Sequence, residues 1–467
     1  MKRQRSHART GRDEAGMALV VTMMFVLVIM GISAATVARS SSRGEQTARS
    51  GSWTRALSVS EAGASAALAK VLGGTVPVGT TSGTTSDGSY QYRVVSLGRS
   101  SYQIDAVATV GGIAQQRADR RIRVTYAPPT VFTDAIFSSS DVTFKNNDNV
   151  AGDVWANQYV HLDNNNHITG SLRAAGGYLE MESNSVIDGD VTVVGYNAAN
   201  SNISVSVGGG TIGGNVIATS ATPGCADDAA QSKYKVETGG GISGTVKAWG
   251  TISGGSGGAQ TSHVCSTPPA PKPIPPLVYN AANYPTLTVH EFASPAAMNA
   301  YVAIHASSLS GVFHVQGGSA TDYVDLTSTT ISGDTYVFAE NAPIHANGIG
   351  GTNSTDKMLV LSSKYVAPAT NCTTNGGNPG DCAIGFKNNF SFASNTAVLL
   401  YAPNGPVAFK NNASFVGAVY ANNVQVKNNM EFQYDSRVAG IAGFGDGPLQ
   451  QVSWLECKPA TVTTTSC

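Results

Sequence analysis

The chain has 467 residues, enough for several domains and a large core. Charged residues are 13% of it, about half the usual share, while Gly reaches 52 residues and hydrophobic residues 42%, which argues against disorder and against a helical enzyme. The net charge of −1 hides a split, 16 Lys+Arg against 7 Asp+Glu in residues 1–127 and 13 against 23 thereafter. The basic excess flanks an apolar stretch, and no basic stripe interleaved with aromatics follows, so membrane topology accounts for it and nucleic-acid binding is not expected.

Met17–Val37 runs 21 residues without a charge. As a helix it rises about 32 Å, matching a hydrocarbon core of about 30 Å. Lys2, Arg3, Arg5, Arg9 and Arg12 precede it against only Asp13 and Glu14, so the positive-inside rule keeps the N-terminus cytoplasmic and sends the remainder outward in a single pass. A cleaved secretory signal ending near Ser33-Ala34-Ala35 is the competing reading, but its apolar region would exceed the usual ~7–15 residues. Beyond the span, Trp53, Leu57, Ala64, Leu68, Val71 and Leu72 recur at helical spacing until Gly73-Gly74, predicting one helix of about 55 residues. Three alternating runs from Tyr90, Ser101 and Ile113, joined by short turns, predict an antiparallel meander against its outer half.

A short basic leader ending in Gly16, an apolar helix from Met17, an amphipathic continuation containing Ser60-Glu61-Ala62-Gly63 and a small meander together resemble the PilX-type N-terminal region of type IV pilus minor pilins and pilus-assembly proteins. The resemblance covers residues 1–127. It implies a leader over residues 1–16, cut after Gly16 by a prepilin peptidase, methylation of the new N-terminal Met17, and a pilin-like helix and sheet over 17–127. It also implies a place in a bacterial inner membrane, and other pilins and the pilus-assembly machinery as partners. One departure matters: major pilins carry Glu at the fifth mature position, where this chain has Val21. Without that carboxylate the docking contact to a neighbour's N-terminal amine is lost, which suits a minor, initiating or tip subunit better than a bulk one.

Past Pro128-Pro129 the chain repeats. Val150-Ala-Gly152-Asp-Val154-Trp-Ala156 returns at Ile168, Ile187, Ile212 and Ile242, with late copies at Ile331 and Phe415; the first three are 18 and 19 residues apart. A second strand ending in Asn-Asn precedes several copies, as in Val142–Asn147, Val160–Asn165, Val407–Asn412 and Val424–Asn429, and Ile384–Asn389 has the same form. Each strand alternates apolar with polar residues, and a single coil cannot bury its apolar stripe alone. Stacked coils can, with Asn tolerating a left-handed corner. The prediction is a mainly β protein: a long transmembrane α-helix with a small antiparallel sheet, followed by a parallel β-solenoid (β-helix). The Gly of I-x-G-x-V-x-A reads as a tight bend, since no phosphate-loop motif accompanies it.

The boundaries expected are coils with an insertion over 128–264, a proline-rich connector over 265–285, a short α/β segment over 286–330, further coils over 331–456 and a tail over 457–467. Ser294-Pro295 reads as the N-cap and first turn of a short helix to about Ala306. The stretch from Ala397 to Gly440 resembles the C-terminal domain that accompanies PilX-type N-termini. Six cysteines, Cys225, Cys265, Cys372, Cys382, Cys457 and Cys467, lie beyond the span where an oxidising compartment is predicted; sequential pairing is favoured among many connectivities. Zinc has no C-x-x-C or clustered His to support it, and calcium at the Asp/Asn corners has no EF-hand or nonapeptide pattern.

No nucleophile elbow, HExxH or deaminase signature is present, so no catalytic, cofactor or metal residue is assigned and no enzyme is expected. A β-helix enzyme could still scatter its groups over coils. The candidates would be Asp153, Asp163, Asp188 and Asp190 with Lys145 and Arg173, and His161 and His167 straddle an Asn run, but solvated coil surfaces are the plainer reading of all of these. The sequence thus leads to a minor pilin or assembly component, with the inner membrane and a surface glycan, host or abiotic surface as further partners. The alternatives are a membrane-anchored polysaccharide enzyme and a solenoid that polymerises through exposed end coils.

Overall fold

The computed structural model describes residues 11–73, 75–98, 101–111, 118–127, 130–226, 232–255, 257–277, 279–284, 286–351, 357–367, 372, 381–387, 390–392, 395–439, 441, 449–458, 462 and 467. Two compact units result, residues 1–127 with 451–467, and residues 128–450.

In the first unit, α1 (Gly11–Leu72) is one unbroken 62-residue helix, beginning before the predicted Met17. Its apolar part is exposed, with Leu27 at 67% and Met30 at 62%, and it is long and apolar enough to cross a membrane. The second part buries small residues, Ala56, Val59, Ser60, Ala64 and Ala67. Gly63 lets the helix approach the Tyr90 ring so closely that an added Cβ would meet it at 3.0 Å. Beneath it lie β1 (Thr80–Thr85), β2 (Gly88–Gly98), β3 (Ser101–Val110) and β4 (Ala118–Ala127), paired in sequence and antiparallel. Alternation explains the packing: Ile104, Ala106 and Ala108 of β3 are fully buried. Asp105, on the other face of β3, is held by Arg121 (2.9 Å) and Arg123 (3.0 Å).

The strand Gln450–Cys457 lies next to β4 in this same sheet. The expectation of solenoid coils running to residue 456 is therefore corrected: the small unit is built from both ends of the chain, and the solenoid is inserted between them.

The second unit is a parallel β-solenoid whose coils carry three short strands each, such as Val142–Asn146, Asn149–Ala151 and Val154–Ala156. Repeats stack in register, with Val154 on Leu172, Leu172 on Val191, Val191 on Val216 and Val216 on Val246. Inward Val, Ile, Leu and Ala form one long core. The stacking order is not the sequence order. The last coils lie against the first, with Val424 on Val142, Val426 on Phe144 and Val419 on Ile136. The chain therefore enters mid-stack and coils to Ser262, then returns along the outside to Val289 at the opposite end, and coils back to finish beside its entry. Tyr434 Oη donates to the Phe132 carbonyl where the two meet (2.6 Å).

The expected boundary at 265–285 is thus a strap along a single solenoid. Between Ser262 and Val289 lie about twelve inter-strand steps at ~4.8 Å, roughly 58 Å, and extended proline-rich chain at about 3.1 Å per residue covers that with about 19 residues, within the 26 that intervene. The strap is packed: Asn157 Nδ2 donates to the Lys272 carbonyl (2.6 Å) and Tyr401 Oη to the Pro275 carbonyl (2.7 Å). Leu277 and Tyr284 are buried among Tyr336, Phe338, Tyr401 and Tyr420. The segment 286–330 is likewise solenoid, its Val289–Phe292 and Leu309–Val315 being terminal strands. Between them α2 (Pro295–His305) is capped by Ser294, whose Oγ accepts the Ala297 N–H (3.4 Å), and its Met298 and Val302 close that end of the core. The other end finishes on exposed, polar Gln260–Ser262.

Candidate binding faces of the solenoid

The Asn-Asn corners stack as ladders. Asn165 donates to Asn147 (3.2 Å), Asn147 to Asn429 (3.4 Å) and Asn429 to Asn412 (3.1 Å), so the ladder crosses the junction between late and early coils. All four have φ between 53° and 59°, the left-handed region Asn tolerates. Asn388 and Asn389, expected to continue this row, lie outside the described residues.

Three successive corners have a third, inward polar residue that the sequence reading passed over. Asp148 Oδ1 accepts the Met430 N–H (2.8 Å), Asn166 Oδ1 the Asp148 N–H (3.1 Å) and Ser185 Oγ the Asn166 N–H (3.3 Å). Every such side chain satisfies a buried donor one coil away. Burial pushes the Asp148 carboxyl up to about 7, against the opposing effect of its backbone hydrogen bonds, and nearby Glu431 adds to the rise.

After this corner the strands carry an outward row, Ser414, Glu431, Asn149 and His167, set by register. Asn149 Nδ2 donates to Glu431 Oε1 (2.8 Å), and His167 Nε2 lies 2.9 Å from Asp188. A shallow cleft of about 440 Å³ runs across these coils, floored by Phe415 and Phe432 and edged by Thr169 and Gln433.

Before the corner a second face carries Thr143, His161 and Glu180 in one row, with Lys145 and Asp163 in the next. The His161 ring touches Asp163 through Nε2 and Glu180 through Nδ1 (3.2 Å); Lys145 Nζ holds the other Asp163 oxygen (2.9 Å). Tyr159 and Tyr178 stack beside them, ring centroids 5.1 Å apart.

The scattered charged candidates separate into distinct roles. Asp163 joins Lys145 and His161, and Asp188 joins His167. Asp153 caps the Ser171 N–H (2.8 Å) and Asp190 the Asn215 N–H (2.7 Å), each in the following coil, so these two serve the stack. Arg173 lies over the Trp155 ring at 5.5 Å. Gly16 and Met17 fall within α1, their side chains outside the described residues. The cysteines pair as Cys225–Cys265, Cys372–Cys382 and Cys457–Cys467.

Near the capped end, Tyr279 of the strap donates to Glu291 (2.6 Å), whose other oxygen meets His314 (2.6 Å). Partial burial raises the Glu291 carboxyl, but hydrogen bonds from Tyr279, His314 and Gln316 outweigh it and hold it below the ordinary range.

Compared with known proteins, the chain matches no protein-family model, no curated protein and no solved structure.

Proposed function

We propose that this chain is a minor pilin or assembly component of a type IV pilus, held in the bacterial inner membrane before assembly and displaying its solenoid for surface contact. The observation that carries the reading is α1: one unbroken helix whose uncharged, exposed stretch over residues 19–37 continues into a part seated on an antiparallel sheet through Ala56, Ser60, Gly63 and Ala67. An exposed apolar helix is stable in lipid or among like helices, the two environments that a pilin occupies in turn. Prepilin peptidase, acting after Gly16, and other pilins are the partners this assigns. The N-terminus is cytoplasmic and the solenoid extracytoplasmic, where three disulfides persist. Val21 at the fifth mature position fits a subunit that begins or tips a filament.

The solenoid's Asn ladders and the cleft lined by Asn149, His167, Glu431 and Gln433 offer amide, imidazole and carboxylate groups on a rigid frame, which suits glycan hydroxyls. Cells carrying the chain with residues 130–449 replaced by a short linker are expected to make pili and to lose attachment to glycan-coated surfaces. Unchanged attachment in piliated cells would contradict display for adhesion. Polysaccharide turnover by the purified chain would favour the enzyme reading, for which the presence of both Glu431 and His167 in the lining of the cleft is the supporting observation.

A further inference from the structure

We propose that His161, Asp163 and Glu182 bind a zinc-class divalent cation on the outer face of the solenoid, with Glu180 orienting the imidazole. The three ligands come from two adjacent coils. Val160 pairs with Leu179, His161 with Glu180 and Leu162 with Met181, and the Glu182 N–H extends that ladder to the Leu162 carbonyl (2.8 Å). His161 and Asp163 therefore project from one strand on one face, and Glu182 from the next coil beside Asp163. One donor atom from each of the three lies within 4.8 Å of the others. Bonds of about 2.0–2.2 Å to nitrogen and oxygen need the His161 ring and the Asp163 oxygen, now in contact, to part by about 1 Å and Glu182 to move inward, and exposed Glu182 is free to do so.

The imidazole's surroundings give a second, independent observation. His161 has a carboxylate on each ring nitrogen, Glu180 on Nδ1 at 3.2 Å and Asp163 on Nε2. A neutral imidazole has one N–H for these two partners. With that hydrogen on Nδ1, donated to Glu180, the Nε2 lone pair faces an Asp163 oxygen, a repulsion relieved when a cation draws the two apart and is bound by both. A carboxylate on the distal nitrogen is also how metal-bound histidines are held in orientation. The charge favours a dication, since Asp163, Glu180 and Glu182 stand against Lys145 alone, whose Nζ occupies only the Asp163 oxygen turned away from the ring. Imidazole with carboxylates selects a borderline metal over calcium, which takes six to eight oxygen ligands. A fourth position opens to solvent on the exposed side.

Titration of the full-length, detergent-solubilised protein with ZnCl2 and, separately, CaCl2 tests this. One Zn2+ per chain is expected, weakened at least tenfold by His161→Ala and by Glu182→Gln, unchanged by His167→Ala and not reproduced by Ca2+. The substituted side chains project outward, and matching thermal melts of metal-free proteins establish that the variants fold. Zn2+ uptake equal in wild type and His161→Ala, or no uptake by wild type, would overturn the assignment.

Discussion

Asp148 stands where the next coil has Asn166 and the one after has Ser185, all accepting a backbone N–H from the same position one coil away. A neutral side chain does this without the cost of burying charge. Because the native carboxyl titrates near 7 and an unfolded one near 3.8, the unfolded state ionises first as pH rises. Stability is then lost progressively between about pH 4 and pH 7, by a few kcal/mol in order of magnitude. Asp148→Asn keeps the acceptor for Met430, so it is expected to raise Tm by several degrees at pH 8 and by little at pH 4.5. Equal effects at both would refute the account. The repeat glycines were legible as bends, but the stronger reason is proximity: a Cβ on Gly189 would lie 2.6 Å from the Gly170 backbone, and one on Gly244 2.3 Å from Gly214. Gly189→Ala is expected to cost on the order of 1–3 kcal/mol in denaturant unfolding, whereas exposed Gly255, with open space around it, should tolerate Ala. Sequence periodicity shows that Gly recurs and not which backbone it meets.

The strap is the element whose role the sequence concealed. Its prolines read as a connector, and its burial depends on residues far along the chain. A trace of that burial was present. Met358–Leu361 and Ala397–Tyr401 are continuous apolar runs without alternation, as strands covered on both faces must be. The inner faces meet the core and the outer faces meet a second cluster that includes Leu277 and Tyr284. Leu277→Ala should therefore cost about 2–5 kcal/mol, although it sits in a proline-rich segment. A loss below about 0.5 kcal/mol in chemical denaturation would show the strap to be loosely attached. The metal cluster was hidden similarly: His161 and Asp163 are two residues apart, but Glu182 joins them only because one coil intervenes. The helix α1, its Ser60–Gly63 seat, the meander and the Asn corners were all legible, because their determinants are local.

At the scale of the molecule, repeats announce a solenoid without specifying its order, since any coil edge presents the same row of backbone donors and acceptors. The strap's reach, the α2 cap and the polar Gln260–Ser262 end select the order seen. The premise of two exposed end coils behind end-to-end polymerisation holds at most at the polar end, because α2 closes the other. Paired substitutions test the order: Asn147→Cys with Asn429→Cys joins residues 282 apart in sequence, of which Asn147 donates to Asn429 in the ladder. A crosslinked peptide under mild oxidation is expected, and its absence in folded protein would refute a single stack. The same architecture makes the solenoid an insertion between β4 and the strand Gln450–Cys457, so the small unit needs both ends of the chain.

The pilus reading itself rests on what happens at Gly16. Mass spectrometry of the mature N-terminus from membrane and sheared-surface fractions addresses it directly. The account predicts an N-methylated peptide beginning at Met17 in the sheared fraction. An intact Met1 confined to membranes, or cleavage near Ala35 releasing the solenoid, would contradict it.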